Sequence, residues 1–374
     1  MTTTTKDWHY SLDNIDKENA LINIIYGERS GGKSYQLKHK KAIIPYLESI
    51  IKDSINRDRF ILLRRFSEEI KKDKVSTYFK DVDIRKLTNG KWDSVIVESK
   101  MFYLSRLEDN GKRVKGDLIG YIASLNTEQH YAGGSYLDVT NIIFEEFISR
   151  TQYLADEPSK LMNFWNTVDR KRGLVRLWLA GNSISRVCPY FVDWDLMEKI
   201  KTQEQGTIIT TFVDTETEDD LGVPIKVKMA IEYCKKTGKS SYSIGKHKDM
   251  LNKGLWQTDP QPKLARSYKE YSLLYRLGFD YKEFKFIGEL LKDSITSDIV
   301  WFIYPYEKEF KSDLLVISDK VKTDIHYQRN IYDVSIKNER LKEILSTFRE
   351  NNIFYSSDLA GTDFKQVIDF SIRK

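Results

Sequence analysis

The residues best suited to chemistry lie early in the chain, where Asn23-Ile24-Ile25-Tyr26 runs into Gly27-Glu28-Arg29-Ser30-Gly31-Gly32-Lys33-Ser34. This is an apolar strand followed by G-x-x-x-x-G-K-S, the loop that wraps the phosphates of a nucleoside triphosphate. Gly27 lets the strand end in a tight turn, and Gly32 lets backbone N–H groups close on phosphate with no side chain in the way. Lys33 brings positive charge to the outer phosphates, and the Ser34 hydroxyl is positioned to ligate Mg²⁺. Residues 35–47 contain few turn formers before Pro45 and read as a helix, whose N-terminus would point partial positive charge at the same phosphates. With a strand before and a helix after, an accidental glycine-rich match explains the pattern poorly. The chain is expected to bind ATP and Mg²⁺, with Gly27, Glu28, Arg29, Ser30, Gly31, Gly32, Lys33, Ser34 and Tyr35 around the nucleotide.

A second pattern, Val139-Thr140-Asn141-Ile142-Ile143-Phe144-Glu145-Glu146, is an apolar strand ending in two carboxylates. In an ATPase the first such acid holds Mg²⁺, directly or through water, and the second polarises the attacking water as general base. Glu145 is therefore assigned to the metal and Glu146 to the water. An Asp is usual at the first position, and Glu145 is one methylene longer. Alone, Glu-Glu after a strand is an ordinary strand end; the phosphate loop upstream makes it half of a site. A third pattern, N-F-W-N-T-V-D-R-K-R at 163–172, is followed by a strand at 175–180 and by Gly181-Asn182-Ser183. Hydrolysis builds charge on the transferred phosphoryl group, and an arginine from a neighbouring subunit can stabilise it. Arg170 is the candidate for that trans-acting finger, with Arg172 and Arg176 in reserve. Asn182 suits a sensor that hydrogen-bonds the attacking water or the γ-phosphate. The competing explanation for the arginines is a basic helix end capping its own carbonyls.

Such residues need a scaffold that ends several strands at one edge. Strands are expected at 21–26, 60–63, 94–97, 101–104, 120–123, 139–144 and 175–180, with a helix over about 157–172. Strand–helix alternation behind a phosphate loop implies an α/β fold, a mostly parallel sheet wrapped by helices with the site at the carboxyl ends of its strands. After about residue 200 the texture changes. Residues 207–213 are strand-like, and the acidic run 214–220 reads as an exposed loop. Residues 235–254 are rich in Lys, Ser and Gly, and Pro260 and Pro262 mark a boundary that no helix can cross. Strands at 272–277, 283–287, 299–304 and 314–318 are spaced like hairpins, and helices at 339–350 and 362–373 close the chain. The expected domains are a nucleotide domain over 1–205, a connector over 206–262 and a small α+β domain over 263–374.

The chain's 374 residues suffice for two domains, and 40% hydrophobic with 31% charged content excludes a fibrous or disordered protein. No apolar run approaches a membrane span and the first residues do not read as a signal peptide, so no membrane partner is expected. Cys188 and Cys234 lack Cys or His neighbours at ligand spacing, which argues for a reducing compartment and against a zinc site or disulfide scaffold. The net charge of +5 is mild, yet residues 33–74 hold twelve Lys/Arg against six acids. A basic zone beside a nucleotide loop fits a polyanionic partner, and equally a solvated lysine-rich face.

The succession Y-G-x-R-x-G-G-K-S-Y, F-I-L-L-R-R-F, N-I-I-F-E-E-F-I, N-x-x-N-T-V-x-R and L-A-G-N-S-I-S-x-V-x-P-Y-F resembles the DNA-packaging ATPases of phi29-type small tailed phages. The likeness covers about residues 20–195; beyond 200 it rests on layout. It implies a P-loop domain of the ASCE (RecA-like) type, a connector, and a vestigial nuclease-like domain of RNase-H-like fold. The activity implied is ATP-driven packaging of double-stranded DNA by a homomeric ring, a pentamer. Such a ring docks on the portal or connector protein at a procapsid vertex in the host cytoplasm, with a structural RNA as a further potential partner. By this resemblance the catalytic residues are Lys33, Glu146, Arg170 and Asn182, with Glu145 standing where relatives have Asp. Relatives also carry a trans-acting lysine upstream of that acid. Residues 126–134 hold none, so the role is lost or moved to Gln129, His130 or another residue. Arg64 and Arg65 match too, one read as approaching the nucleotide and the other DNA phosphates or a neighbouring subunit.

The C-terminal acids Asp280, Glu283, Glu289, Asp298, Asp313 and Asp319 form no convincing two-metal pattern, so that region reads as a docking module. Two alternatives stay open: a terminase-like motor with an active C-terminal nuclease, and a nucleic-acid-binding module that ATP switches without turnover.

Overall fold

Strands with no polar face must be covered on both sides, and such runs build the centre of the first sheet. The computed structural model describes residues 10–28, 31–53, 55, 57–131, 133–149, 153–218, 222, 224–235, 260–281, 284–311, 314–318, 327–328, 339–350 and 352–372. Nine strands form this sheet: β1 (Ile22–Gly27), β2 (Arg59–Arg64), β3 (Ser94–Glu98), β4 (Met101–Leu107), β5 (Arg113–Ser124), β6 (Val139–Glu145), β7 (Arg176–Asn182), β8 (Ile208–Glu218) and β9 (Pro224–Tyr233). β1 is buried at every residue, and β2, β6 and β7 are buried along nearly all of their length.

The order is β3-β4-β5-β2-β6-β7-β1-β9-β8. The six strands from β5 to β9 in this order run parallel. Antiparallel pairs finish both edges. β7 therefore lies between β1 and β6, and the carboxyl ends of β1, β7, β6 and β2 come side by side. A buried hydrogen bond from the Trp178 indole on β7 to Asn141 Oδ1 on β6, 2.9 Å long, ties two of these strands together.

Three expectations change on the structure. The helix expected over 35–47 begins at Lys33 and runs on to Ile51. It starts as an α-helix (Lys33–Leu37), widens into a π-helix (Lys38–Ile43) and resumes as an α-helix (Ile44–Ile51) with Pro45 in its first turn. The widened turn absorbs the N–H that proline lacks. The helix expected over 157–172 spans Glu157–Asp169. There Arg170 takes a left-handed backbone, and the Asp169 carboxylate accepts N–H bonds from Gly173, Leu174 and Val175 that turn the chain into β7. Residues 208–233, read as strand, acidic loop and connector, are the hairpin β8–β9. β8 runs through the acidic residues to Glu218, and β9 pairs in parallel with β1. Of the stretch 235–254, only residue 235 falls within the described residues.

The described residues divide into two compact units, the second drawn from 185–187, 195–201 and 256–374. Its sheet adds β10 (Tyr271–Tyr281), β11 (Phe284–Asp293), β12 (Ile299–Pro305), β13 (Val316–Ser318), β14 (Tyr327–Gln328) and β15 (Ile353–Tyr355), in the order β14-β13-β10-β11-β12-β15. β10, β11 and β12 are antiparallel, β13 runs parallel to β10, and β15 parallel to β12. Phe279, Phe286 and Trp301 of this sheet pack with Phe348 and Phe364 of the helices Glu339–Arg349 and Asp358–Ile372.

Candidate functional site

Because the parallel strands all end at one edge, side chains distant in sequence meet there. A cavity of about 330 Å³ is lined by Lys33 and Ser34 at the helix start, Arg64 at the end of β2, Glu145 and Glu146 at the end of β6, and Gly181 and Asn182 at the end of β7. Lys38, Lys74, Thr77, Tyr78 and Ala180 complete the wall. Five residues named from sequence, Lys33, Ser34, Glu145, Glu146 and Asn182, are thus brought together.

The phosphate loop is held from several sides. Gly27 sits opposite Asn182 in the β1–β7 register, and its carbonyl accepts the Ser183 N–H at 3.0 Å. Behind it, a Cβ on Gly27 would come 3.0 Å from the Cys234 Cβ, so a side chain there would have to push Cys234 back by a few tenths of an ångström. Gly32 has φ +97°, a left-handed conformation that glycine adopts without steric cost, and it turns the loop into the helix. The Tyr10 N–H donates to the Gly31 carbonyl at 2.9 Å, while its hydroxyl donates to Glu232 Oε2 at 2.6 Å. Lys33 is buried and its ammonium donates to the Glu28 carbonyl at 2.5 Å. Burial holds its pKa below that of an ordinary lysine. A buried ammonium on a single carbonyl is poorly compensated, and a polyanion in the cavity would offset that. Arg29 and Ser30 lie outside the described residues.

The two carboxylates are held in different ways. Glu145 is buried; one oxygen accepts an Arg64 N–H at 2.8 Å, and the carboxylate also interacts with the Tyr78 hydroxyl. Glu145 and Ser34 line the same cavity, an all-oxygen donor pair that suits a hard cation such as Mg²⁺. Glu146 has φ +60°, a costly backbone for a residue with a Cβ. Arg65 holds it there. Its guanidinium donates to the carbonyls of Glu146 (3.1 Å) and Phe147 (2.8 Å). It also pairs with Glu157, a fully buried carboxylate that accepts the Tyr190 hydroxyl at 2.7 Å. Arg65 thus faces the interior, and the expectation that it contacts DNA phosphates or a neighbouring subunit does not hold in this structure.

Other named residues lie elsewhere. Tyr35 is outside the cavity, partly exposed and stacked on His39 with centroids 5.9 Å apart. Arg170 is also outside it and donates to the Gly134 carbonyl at 2.6 Å. Arg172 is engaged with the carbonyls of Tyr136, Leu137, Val139, Val168 and Asp169, and Arg176 with Asp16 and Asn19. Both reserves are structural. Gln129 and His130 lie on the 3₁₀ segment Leu125–Tyr131 and do not line the cavity. Sequence reasoning missed Lys38, Lys74, Thr77 and Tyr78. The basic run 33–74 includes two of them, but charge alone does not say which face they occupy.

A family profile described as Podovirus DNA encapsidation protein (Gp16) matches residues 4–208. The DNA packaging protein of Bacillus phage phi29 is 29% identical over 198 residues, 52% of each chain. The chain spans about half the length of the curated relatives it matches. Among solved structures, the N-terminal domain of the DNA packaging ATPase from bacteriophage phi29 is 28% identical over 60% of this chain and 94% of that one, with a TM-score of 0.42. The bacteriophage phi29 genome packaging motor assembly contains a chain that is 19% identical, covering 96% of this chain and 99% of its own length, with a TM-score of 0.50. That last likeness is one of fold.

Proposed function

Since this chain belongs to the Podovirus DNA encapsidation protein (Gp16) family, we propose that it is an ATP-driven translocase that packages double-stranded viral DNA into a procapsid. The observation that carries the reading is the convergence of Lys33, Ser34, Glu145, Glu146 and Asn182 on one cavity at the carboxyl ends of parallel strands. In this reading the first unit is a P-loop domain of the ASCE type, supported by the position of β7 between the phosphate-loop strand and the carboxylate strand.

The chain's own residues divide the work. Triphosphate binding exchanges the Glu28 carbonyl at the Lys33 ammonium for phosphate oxygens, and the loop N–H groups close on the rest. Ser34 and Glu145 would hold Mg²⁺, which supplies charge neutralisation at the phosphates. Glu146 takes a proton from the attacking water while Asn182, at the end of the adjacent β7, orients it or the γ-phosphate. Arg170 acts in trans on the site of the next subunit. Its position outside its own cavity, at the end of the helix Glu157–Asp169, suits that role.

Partners in this reading are double-stranded DNA, further copies of the chain in a ring read as a pentamer, and the portal protein at the procapsid vertex in the host cell. A structural RNA belongs to the same proposal where the system uses one. The second unit is read as a non-catalytic, RNase-H-like docking domain. One observation supports this: the Asp363 carboxylate is already engaged by Arg186 rather than held open for a metal.

Mixing subunits tests the whole reading. Arg170→Ala and Glu146→Ala proteins should each hydrolyse ATP poorly, and mixing should restore part of the rate because each mutant completes the other's interface. No recovery at any ratio would refute action in trans.

A further inference from the structure

A buried polar pair stands directly behind the phosphate loop. Glu232 on β9 is 7% exposed and lies in register with Ile25 of β1, the strand that leads into the loop. Ala230 and Cys234, two residues to either side of it, belong to the apolar core, as do Tyr10 and Ile25. A carboxylate in such company is costly unless it is bonded, and packing alone would be served by an aliphatic side chain. The Tyr10 hydroxyl bonds it, donating to Oε2 at 2.6 Å, and the Cys234 thiol is within hydrogen-bonding reach of the same hydroxyl. Burial raises the Tyr10 pKa well above that of an ordinary tyrosine, so the hydroxyl keeps its proton and serves as the donor.

The same residue holds the loop through its backbone. The Tyr10 N–H donates to the Gly31 carbonyl at 2.9 Å. In a trans peptide the C=O and the following N–H point in opposite directions, and no cis peptide occurs among the described residues. Bonding the Gly31 carbonyl to Tyr10 therefore turns the Gly32 N–H away from Tyr10. Gly32, at φ +97°, then leads straight into the helix that begins at Lys33. In a loop of this type that N–H is one of those that close on phosphate. β9 begins at Pro224, beyond the residues 4–208 that the family profile matches, so this support reaches the loop from outside the matched stretch.

We propose that Tyr10 and Glu232 are positioning residues of the phosphate loop. Their side-chain bond holds the Tyr10 backbone where its N–H orients the Gly31–Gly32 peptide for phosphate. The proposal rests on reading the cavity as a nucleotide site.

The double variant Tyr10→Phe/Glu232→Leu in the full chain tests this, because it removes both partners and strands neither in the interior. It should melt close to the wild-type temperature. Its dissociation constants for ATP and for ADP with Mg²⁺ should both rise about tenfold, since both nucleotides carry the phosphates that the loop wraps. Glu232→Gln keeps an oxygen to accept the hydroxyl and should bind both within about twofold of wild type. Amide exchange over residues 27–34 of the nucleotide-free protein should be faster in the double variant and unchanged in Glu232→Gln. Wild-type affinity or wild-type exchange in the double variant would overturn the proposal, and so would a Glu232→Gln protein that binds as weakly as the double variant. Tyr10→Phe alone, which keeps the ring, is read in the same way if the double variant fails to fold. If the wild type itself binds no nucleotide, the site reading falls and takes this inference with it. If wild type and double variant bind alike while Lys33→Ala does not, only the inference fails.

Discussion

Arg64 and Arg65 are neighbours whose side chains do opposite things, because successive residues at a strand end point to opposite faces. Arg64 enters the cavity and pairs with Glu145. Arg65 turns inward, between the rings of Phe144 and Tyr153, with its guanidinium 5.6 Å and 5.0 Å from their centroids. Together they hold both carboxylate positions, one by its side chain and one by its backbone. Removing one partner of a buried pair strands the other charge, so Arg65→Ala should lower unfolding stability by about 3–5 kcal/mol in urea titrations. Glu157→Gln keeps a neutral hydrogen-bonding group beside Arg65 and should cost less. If Arg65→Ala unfolds like wild type, the clamp on Glu146 is not formed. The sequence made both arginines conspicuous but could not say which entered the cavity, since that depends on how the chain is oriented at the end of β2. Tyr78 was harder still. It follows the one-turn helix Lys72–Val75, too short to carry a periodicity, and only its packing on Phe79 and Phe102 brings it to the site.

Elements whose parts are contiguous were the most legible. The loop 27–34 is a strand, a turn and a helix start read in one line, and β6 announces its carboxylates at its own end. Contacts between elements were not. Nothing in Gly27 alone reveals that it faces Cys234 across β1 and β9, and the β8–β9 hairpin was taken for a loop and connector because its strand residues include an acidic, apolar-poor run. The close approach makes a specific demand. Gly27→Ala should destabilise the protein by about 1–3 kcal/mol through overpacking. In a double-mutant cycle Cys234→Gly should recover part of that loss, since the atom in conflict is the Cys234 Cβ. Additive losses would mean that the two residues do not press on each other. The helix that runs on past Pro45 has the same lesson: proline stops a regular helix, and a π-helix just ahead of it removes the conflict.

At the scale of the whole molecule, the first unit gathers its site from strands spread over residues 22–182, and the family match over 4–208 falls on that same stretch. The second unit was readable as a series of strands closed by two helices, although β10 and β11 run on past their expected ends through buried residues, and β14 and β15 were not foreseen. Its parallel pairing of β13 with β10 and of β15 with β12 joins strands far apart in sequence, which hairpin spacing alone could not foretell. A ring, a portal and a DNA substrate all presuppose that the first unit splits ATP. The most direct measurement is the rate of ATP hydrolysis by the purified chain with and without double-stranded DNA, for wild type and Glu146→Gln. The account predicts turnover that DNA accelerates, and a loss of about 10²-fold or more in the variant with nucleotide binding retained. A Glu146→Gln protein that hydrolyses ATP at the wild-type rate would contradict it.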